Sequence, residues 1–249
     1  MIYIKSKEEI VLMKKAGQIT KATLETVKEA IRPGITTLQL DKIAADFIKK
    51  CGATASFYKY GGFPGHICVS VNDEVVHGIP DNRVIMEGDI VSIDCGACYK
   101  GYHGDCADTV AVGNVDSEIK RLIDVTRESF YVGIKNACDK NRVGDISEAI
   151  QTFVEKNGFS VVRDLEGHGI GSQLHEGPSV PNFGMKGKGA RLVSNMTIAV
   201  EPMVNMGTYE VYCEEENGWT IKTMDKKYSA HYENTILITK EEPIILTTL

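Results

Sequence analysis

The sequence has no basic excess, no long apolar run and no export signal, and each absence narrows what it can be. Lys and Arg number 28 against 34 Asp and Glu, a formal net charge of −6, and the basic residues are scattered. That charge gives no footprint for direct nucleic-acid recognition. No apolar run approaches the roughly 18 residues of a membrane span. Residues 1–10 carry Lys5, Lys7, Glu8 and Glu9 and lack an apolar h-region, so they do not read as a signal peptide. Seven cysteines, an odd count without an export signal, fit a reduced, cytoplasmic protein. Cys95 and Cys98 form a lone C-x-x-C. With no second pair and no histidine at ligand spacing, they read as small buried residues rather than a zinc or redox site. What is present is ordinary for a folded protein: 43% hydrophobic and 25% charged residues in a chain of 249. That length buries a large core, as one large domain or two fused halves.

The chain is organised around Asp94–Asp105. An apolar run, Ile90-Val91-Ser92-Ile93, leads into Asp94 and reads as a buried strand. Gly96, Gly101 and Gly104 lie between the acids, and the return strand is expected over Asp105–Val112. A hairpin can set its ends side by side. Two carboxylates brought together inside a protein need a proton or a cation between them.

Upstream, Ser6 and Glu9 make a capping box, and Ile10, Met13, Ala16, Ile19, Leu24 and Val27 recur at helical spacing. A long helix is expected from about residue 7 to 31, broken by Pro33-Gly34, then a second helix ending near Gly52. Residues 57–66 form an aromatic, glycine-rich loop, and Cys68–Val71 a short strand. Downstream the pattern restarts. Ser117–Asn136 reads as a helix, Gly144 as a break, Ile146–Lys156 as a helix, and Val161–Val162 as the start of a strand region. Thr197–Val200 is an apolar strand ending at Glu201, with Ser229–Thr239 as its return strand carrying Glu233. Gly52 to Gly158 is a shift of 106 and Asp94 to Glu201 a shift of 107. Residues 1–249 are therefore expected to form one catalytic domain of two pseudo-repeat halves, about 1–113 and 114–249. Two units are too few for a solenoid, so a fused duplicate with a shared sheet follows.

A pseudo-twofold axis between the hairpins would cluster Asp94, Asp105, Glu201 and Glu233. Four carboxylates there cannot all stay ionised without cations. With His168, from Gly-His-Gly-Ile-Gly, they suffice for two metal ions about 3.5–4 Å apart, able to generate hydroxide at neutral pH. Oxygen-rich ligation with one imidazole suits Mn, Fe or Co, with Zn also accommodated.

The chain resembles the type I methionine aminopeptidases of the bacterial, unextended kind over essentially its whole length. The motifs are Val76-His77-Gly-Ile-Pro80, Ser92-Ile-Asp94, Tyr102-His-Gly-Asp105, Gly167-His168-Gly-Ile-Gly171, Leu174-His175-Glu176, Val200-Glu201-Pro-Met203 and Ser229-Ala-His-Tyr-Glu233. The resemblance implies the α+β pita-bread (creatinase/aminopeptidase) fold, with a curved antiparallel sheet covered by helices. It implies five ligands to two divalent ions: Asp94, Asp105, His168, Glu201 and Glu233, with Asp105 and Glu233 bridging. A metal-bridging hydroxide would attack the scissile carbonyl, Glu201 would handle the proton, and His175 would stabilise the tetrahedral intermediate. His77 would contact the scissile amide nitrogen. Phe57, Tyr60, Phe63, Cys68, Leu174 and Trp219 match the methionine pocket, where a thioether packs on aromatic edges. The family also implies a small residue next to the methionine, and a monovalent cation near Asn72 and Ser229. Its working partner is the nascent polypeptide N-terminus, with transient contact to the ribosome and a monomeric state.

Departures from the family pattern are Leu174 for Phe, Gly65-His66 for Lys-Ser, His231 for Gln and Asn234 for His. Two competing readings share the fold. Proline-specific peptidases carry a large additional N-terminal domain. Catalytically dead binding proteins lose metal ligands, and all five are here.

Overall fold

The computed structural model describes residues 1–249. Helix α1 (Lys7–Ala30) starts at the capping box. The Glu9 amide donates to Ser6 Oγ at 3.2 Å, and the Ser6 amide donates to the Glu9 carboxylate at 2.6 Å. Its buried stripe includes Met13, Ala16, Leu24 and Val27. After Pro33-Gly34, α2 (Thr37–Lys50) begins with the same device built from Thr36 and Gln39. The second pair is α3 (Ser117–Ile134) and α4 (Val143–Lys156). Gly144 does not break the chain before α4, as expected from sequence; it lies in that helix's first turn. A Cβ there would run into the carbonyl oxygens of Met185 and, at 2.8 Å, Lys188. Glycine serves close approach at this point, and periodicity does not distinguish that from a breaker.

The strands are β1 (Thr54–Ala55), β2 (Cys68–Val71), β3 (Glu74–Val76), β4 (Ile90–Tyr99), β5 (Tyr102–Ala111), β6 (Ser160–Val161), β7 (Glu166–Gly169) and β8 (Glu176–Pro181). They continue as β9 (Thr197–Val200), β10 (Met203–Asn205), β11 (Val211–Cys213), β12 (Ile221–Thr223), β13 (Ser229–His231), β14 (Glu233–Leu237) and β15 (Ile244–Ile245). One nine-stranded antiparallel sheet runs β1-β4-β5-β14-β9-β7-β8, with β2 on β4 and β15 on β14. The hairpin β4–β5 and the pair β9–β14 meet along β5–β14. The expected return strand 229–239 is split at Tyr232. Its first piece, β13, leaves for a second sheet with β10 and β6, and only β14 returns against β9. A third small sheet joins β11, β12 and β3.

Alternation along the strands divides the large sheet. Val91, Ile93, Cys95 and Cys106 point into a core closed by Leu24, Val27 and Leu40 of α1 and α2. Ile198, Val200 and Ile236 point into the larger core under α3 and α4, with Leu122, Phe130, Ile146 and Ile150. The helices therefore cover one face of the sheet and leave the other for the site. Cys95 and Cys98, three apart on a strand, face opposite ways and cannot share a metal. No helix is long and apolar enough to cross a membrane.

Candidate metal centre and pocket

The strand register brings the acids together. Cys68, Asp94, Ala107 and Glu233 are successive cross-strand partners on β2, β4, β5 and β14. Residues directly opposite share a face, so these four form one row across the sheet. Asn234 pairs with Val200, and one further step sets Glu201 opposite Glu233. Asp105, two residues before Ala107, shares the face and lies opposite Gly96. A Cβ at Gly96 would sit 2.8 Å from the Ser56 Cβ and 3.0 Å from the Phe57 ring. The missing side chain thus lets the aromatic loop reach the site. His168 enters from β7, where Gly169 pairs with Ile198. Its flanking glycines are required: a Cβ at Gly167 would lie 2.5 Å from the Ala199 carbonyl oxygen, and one at Gly169 would collide with that of Gly177.

His168 Nδ1 lies 2.8 Å from the Gly169 carbonyl oxygen and donates to it. Nε2 therefore carries the lone pair, 3.7 Å from Glu201 Oε1 and 4.0 Å from Asp105 Oδ2. A backbone carbonyl that fixes the tautomer in this way is the usual support for a metal-ligating imidazole. Donor atoms of Asp105, His168 and Glu233 lie within 4.8 Å of one another, as do those of Glu201, His231 and Glu233. Oxygens of Asp94, Asp105 and Glu233 are buried without a hydrogen-bond partner. The ion-pair partners within reach of these acids are the imidazoles of His168 and His231, not a lysine or arginine.

Electrostatics records the same shortage of positive charge. Burial pushes Asp94 up to about 7. Burial, then neighbouring carboxylates, push Asp105, Glu201 and Glu233 well above the ordinary carboxylate range. Burial, with His175 adding to it, lowers His168 to about 3 and His77 to about 4, so both rings are neutral at pH 7. Orphaned carboxylate oxygens around a lone-pair nitrogen fit a divalent cation of the Mn, Fe, Co or Zn type.

A cavity of about 150 Å³ opens on this cluster, and the thirteen residues lining it are all ones singled out in the sequence. The five acidic and imidazole ligand candidates meet Phe57, Phe63, Cys68, Leu174 and Trp219, together with Tyr60, His77 and His175. The Phe63 and Trp219 rings pack edge-on at 5.2 Å. His77 adopts a left-handed backbone, φ 60°, just after β3. His175 stacks obliquely on His168 with ring centroids 4.1 Å apart, and its Nδ1 meets the Tyr60 hydroxyl at 2.8 Å. That hydroxyl contact was not foreseen, because nothing local links residues 60 and 175. His231 stands out in the sequence as a departure from the family pattern two residues before Glu233, a position from which it can tune the ligands. The signal available was strand alternation, which puts residues 231 and 233 on one face.

A sequence model of metallopeptidase family M24 matches residues 11–240. The chain belongs to this family. It is 54% identical over 249 residues to a methionine aminopeptidase of Clostridium perfringens, with 100% of both chains covered. It is 51% identical to methionine aminopeptidase 1 of Bacillus subtilis over 99% of both. The crystal structure of a Thermotoga maritima methionine aminopeptidase superposes with a TM-score of 0.98 at 46% identity, over all of both chains. A prolidase of Pyrococcus furiosus matches with a TM-score of 0.80 at 22% identity, over 99% of this chain and 65% of the prolidase, which shows the shared pita-bread fold alone.

Proposed function

We propose that the chain is a metal-dependent aminopeptidase that removes the N-terminal methionine of polypeptides whose next residue is small. The observation that carries this reading is the meeting, in one cavity, of an unneutralised carboxylate–imidazole cluster with a wall of Phe57, Phe63, Leu174 and Trp219. The cavity, about 150 Å³, is small beside pockets for drug-sized ligands, roughly 300–1,000 Å³, and suits one side chain. The full-length likeness to methionine aminopeptidases supports a methionine side chain as its occupant.

Asp94, Asp105, His168, Glu201 and Glu233 would hold two divalent ions. Glu233 converges with Asp105 and His168, and the strand register sets Glu201 opposite it, which supports a shared ligand role for it. When bound, the ions supply Lewis acidity and a water acidified toward hydroxide. The side chains do the rest. Glu201, its backbone carbonyl held by Asn182 Nδ2 at 2.9 Å, takes the proton of the nucleophile on its carboxylate and passes it to the leaving amine. Burial lowers His175, leaving it neutral at pH 7. In the tautomer whose Nδ1 accepts from the Tyr60 hydroxyl, Nε2 carries the ring's proton and donates to the carbonyl oxygen as charge grows there. Neutral His77 contacts the scissile amide nitrogen. Trp219, on the hairpin tip between β11 and β12, closes the apolar side against Phe63.

The same reading takes residues 1–249 as one domain of two pseudo-repeat halves. It extends to nascent chains at the ribosome as the working partner, to a monomeric cytoplasmic enzyme, and to a monovalent cation where Asn72 and Ser229 meet. At that point the Ser229 amide donates to the Asn72 carbonyl at 2.9 Å.

The test is peptide hydrolysis by metal-stripped protein with Mn, Fe, Co or Zn returned. Metal-dependent release of methionine from Met-Ala-Ser, but not from Met-Leu-Ser or Leu-Ala-Ser, is expected. Cleavage of Ala-Pro-Ala instead would move the substrate class to proline peptides.

A further inference from the structure

His231 stands beside the site with no part in the roles above. It lies at the end of β13, opposite Met203 and two residues before Glu233. Its backbone is pinned by Thr109. The His231 amide donates to Thr109 Oγ1 at 2.9 Å, and that hydroxyl donates to the His231 carbonyl at 2.8 Å. The side chain is 1% exposed, and neither ring nitrogen has a hydrogen-bond partner. An unpartnered buried imidazole is costly to keep, so its surroundings bear on what it does.

Those surroundings are two carboxylates. Nε2 lies 3.8 Å from Glu201 Oε2 and 3.9 Å from Glu233 Oε2. Glu201 and Glu233 line the cavity, and His231 does not. The imidazole therefore lies against the two acids without forming part of the cavity wall. Its Nε2 approaches the Oε2 atom of each acid, while Glu233 Oε1 is buried without a hydrogen-bond partner. The two distances exceed a hydrogen bond, and a shift of about an ångström by either carboxylate closes one.

We infer that His231 is a positioning residue for the metal centre, its Nε2–H shared between Glu201 and Glu233, setting the geometry and cation affinity of that pair. The inference rests on the proposed metal site. It differs from ligation: His231 adds no nitrogen to the cation, but holds two of the oxygen ligands. Such outer hydrogen bonds tune affinity about 10–100-fold in metal sites.

The experiment measures Co(II) and Mn(II) dissociation constants by calorimetry for the full chain and for His231→Leu, His231→Gln and His231→Asn. Thermal melts with and without metal, and the visible spectrum of the Co(II) form, accompany it. The Leu variant should bind about 10–100-fold more weakly. Its metal-free melting temperature should not fall, because an unpartnered polar ring has become apolar. Gln, which keeps a donor at similar reach, should stay within about threefold of the parent, and Asn, whose amide is too short, should resemble Leu. If Leu does not fold, the Gln–Asn contrast carries the same test. Equal affinity in Leu and parent, or in Gln and Asn, overturns the inference. A Co(II) spectrum that loses a nitrogen donor in Gln overturns it in favour of direct ligation. A parent chain that binds no metal overturns the site reading, and the inference with it.

Discussion

Lys5 and Glu176 form an ion pair at 2.5 Å with side chains only 4% and 1% exposed. Glu176 directly follows His175. Its second oxygen accepts from the Gln173 amide at 3.2 Å, and the Gly177 amide donates to the Met1 carbonyl at 3.0 Å. A Cβ at Gly171 would lie 2.5 Å from Lys5 Cε. Residues far apart in the chain thus grip both ends of the loop that presents His175.

Removing one partner of a buried pair leaves an uncompensated charge and costs about 3–5 kcal/mol. Lys5→Met should lower stability by about that amount in denaturant melts. Because the loop carries His175 and not the ligands, kcat should fall while bound metal per chain stays unchanged. Lys5→Met with Glu176→Met should recover much of the stability. Parent-like turnover in Lys5→Met would show that the pair does not place His175.

Asp105→Ala and His175→Ala separate metal from chemistry. Asp105 is buried among the acids with one oxygen unpartnered, so its loss should empty the site on elemental analysis. His175→Ala should keep the metal and lose turnover about 100-fold or more, the scale of one missing oxyanion donor. Full metal content in Asp105→Ala would remove it from the ligand set.

Trp219→Ala should raise KM for Met-Ala-Ser about tenfold with a smaller change in kcat, since it strips binding surface from the pocket wall. Its ring packs edge-on against Phe63 at 5.2 Å, a contact that Phe63→Leu should also weaken. A fall in kcat alone would move Trp219 from binding to chemistry.

The carboxylate shifts predict the pH dependence of metal stabilisation. Asp94 is held up to about 7, and Asp105, Glu201 and Glu233 are held higher than ordinary carboxylates. A folded-state pKa raised above the unfolded value, about 4, contributes stability that is whole below that value and lost as pH climbs through the folded one. In the metal-free protein this contribution from Asp94 should therefore fade between about pH 4 and 7. A cation needs the deprotonated forms and must displace those protons. The gain in Tm on adding metal should be small near pH 5 and grow toward pH 8, with protons released on binding. A gain independent of pH would contradict the placement of these acids at the metal.

Much of this was readable from residues alone. The apolar stripe of Met13, Ala16 and Leu24 and the Ser6–Glu9 box define α1 because helical period and end chemistry are local. Ile90–Ile93 and Thr197–Val200 read as strands for the same reason, and the matched positions of Asp94 and Glu201 pointed to one cluster. Tertiary structure decided what depends on partners distant in the chain. Gly144 sits inside α4 because another loop's carbonyls press on it, and the 229–239 segment divides because its first residues pair with β10. The Tyr60–His175, Lys5–Glu176 and His231–Glu233 relationships are likewise set by packing. Periodicity records which way a side chain faces; only the assembled sheet determines what it meets there.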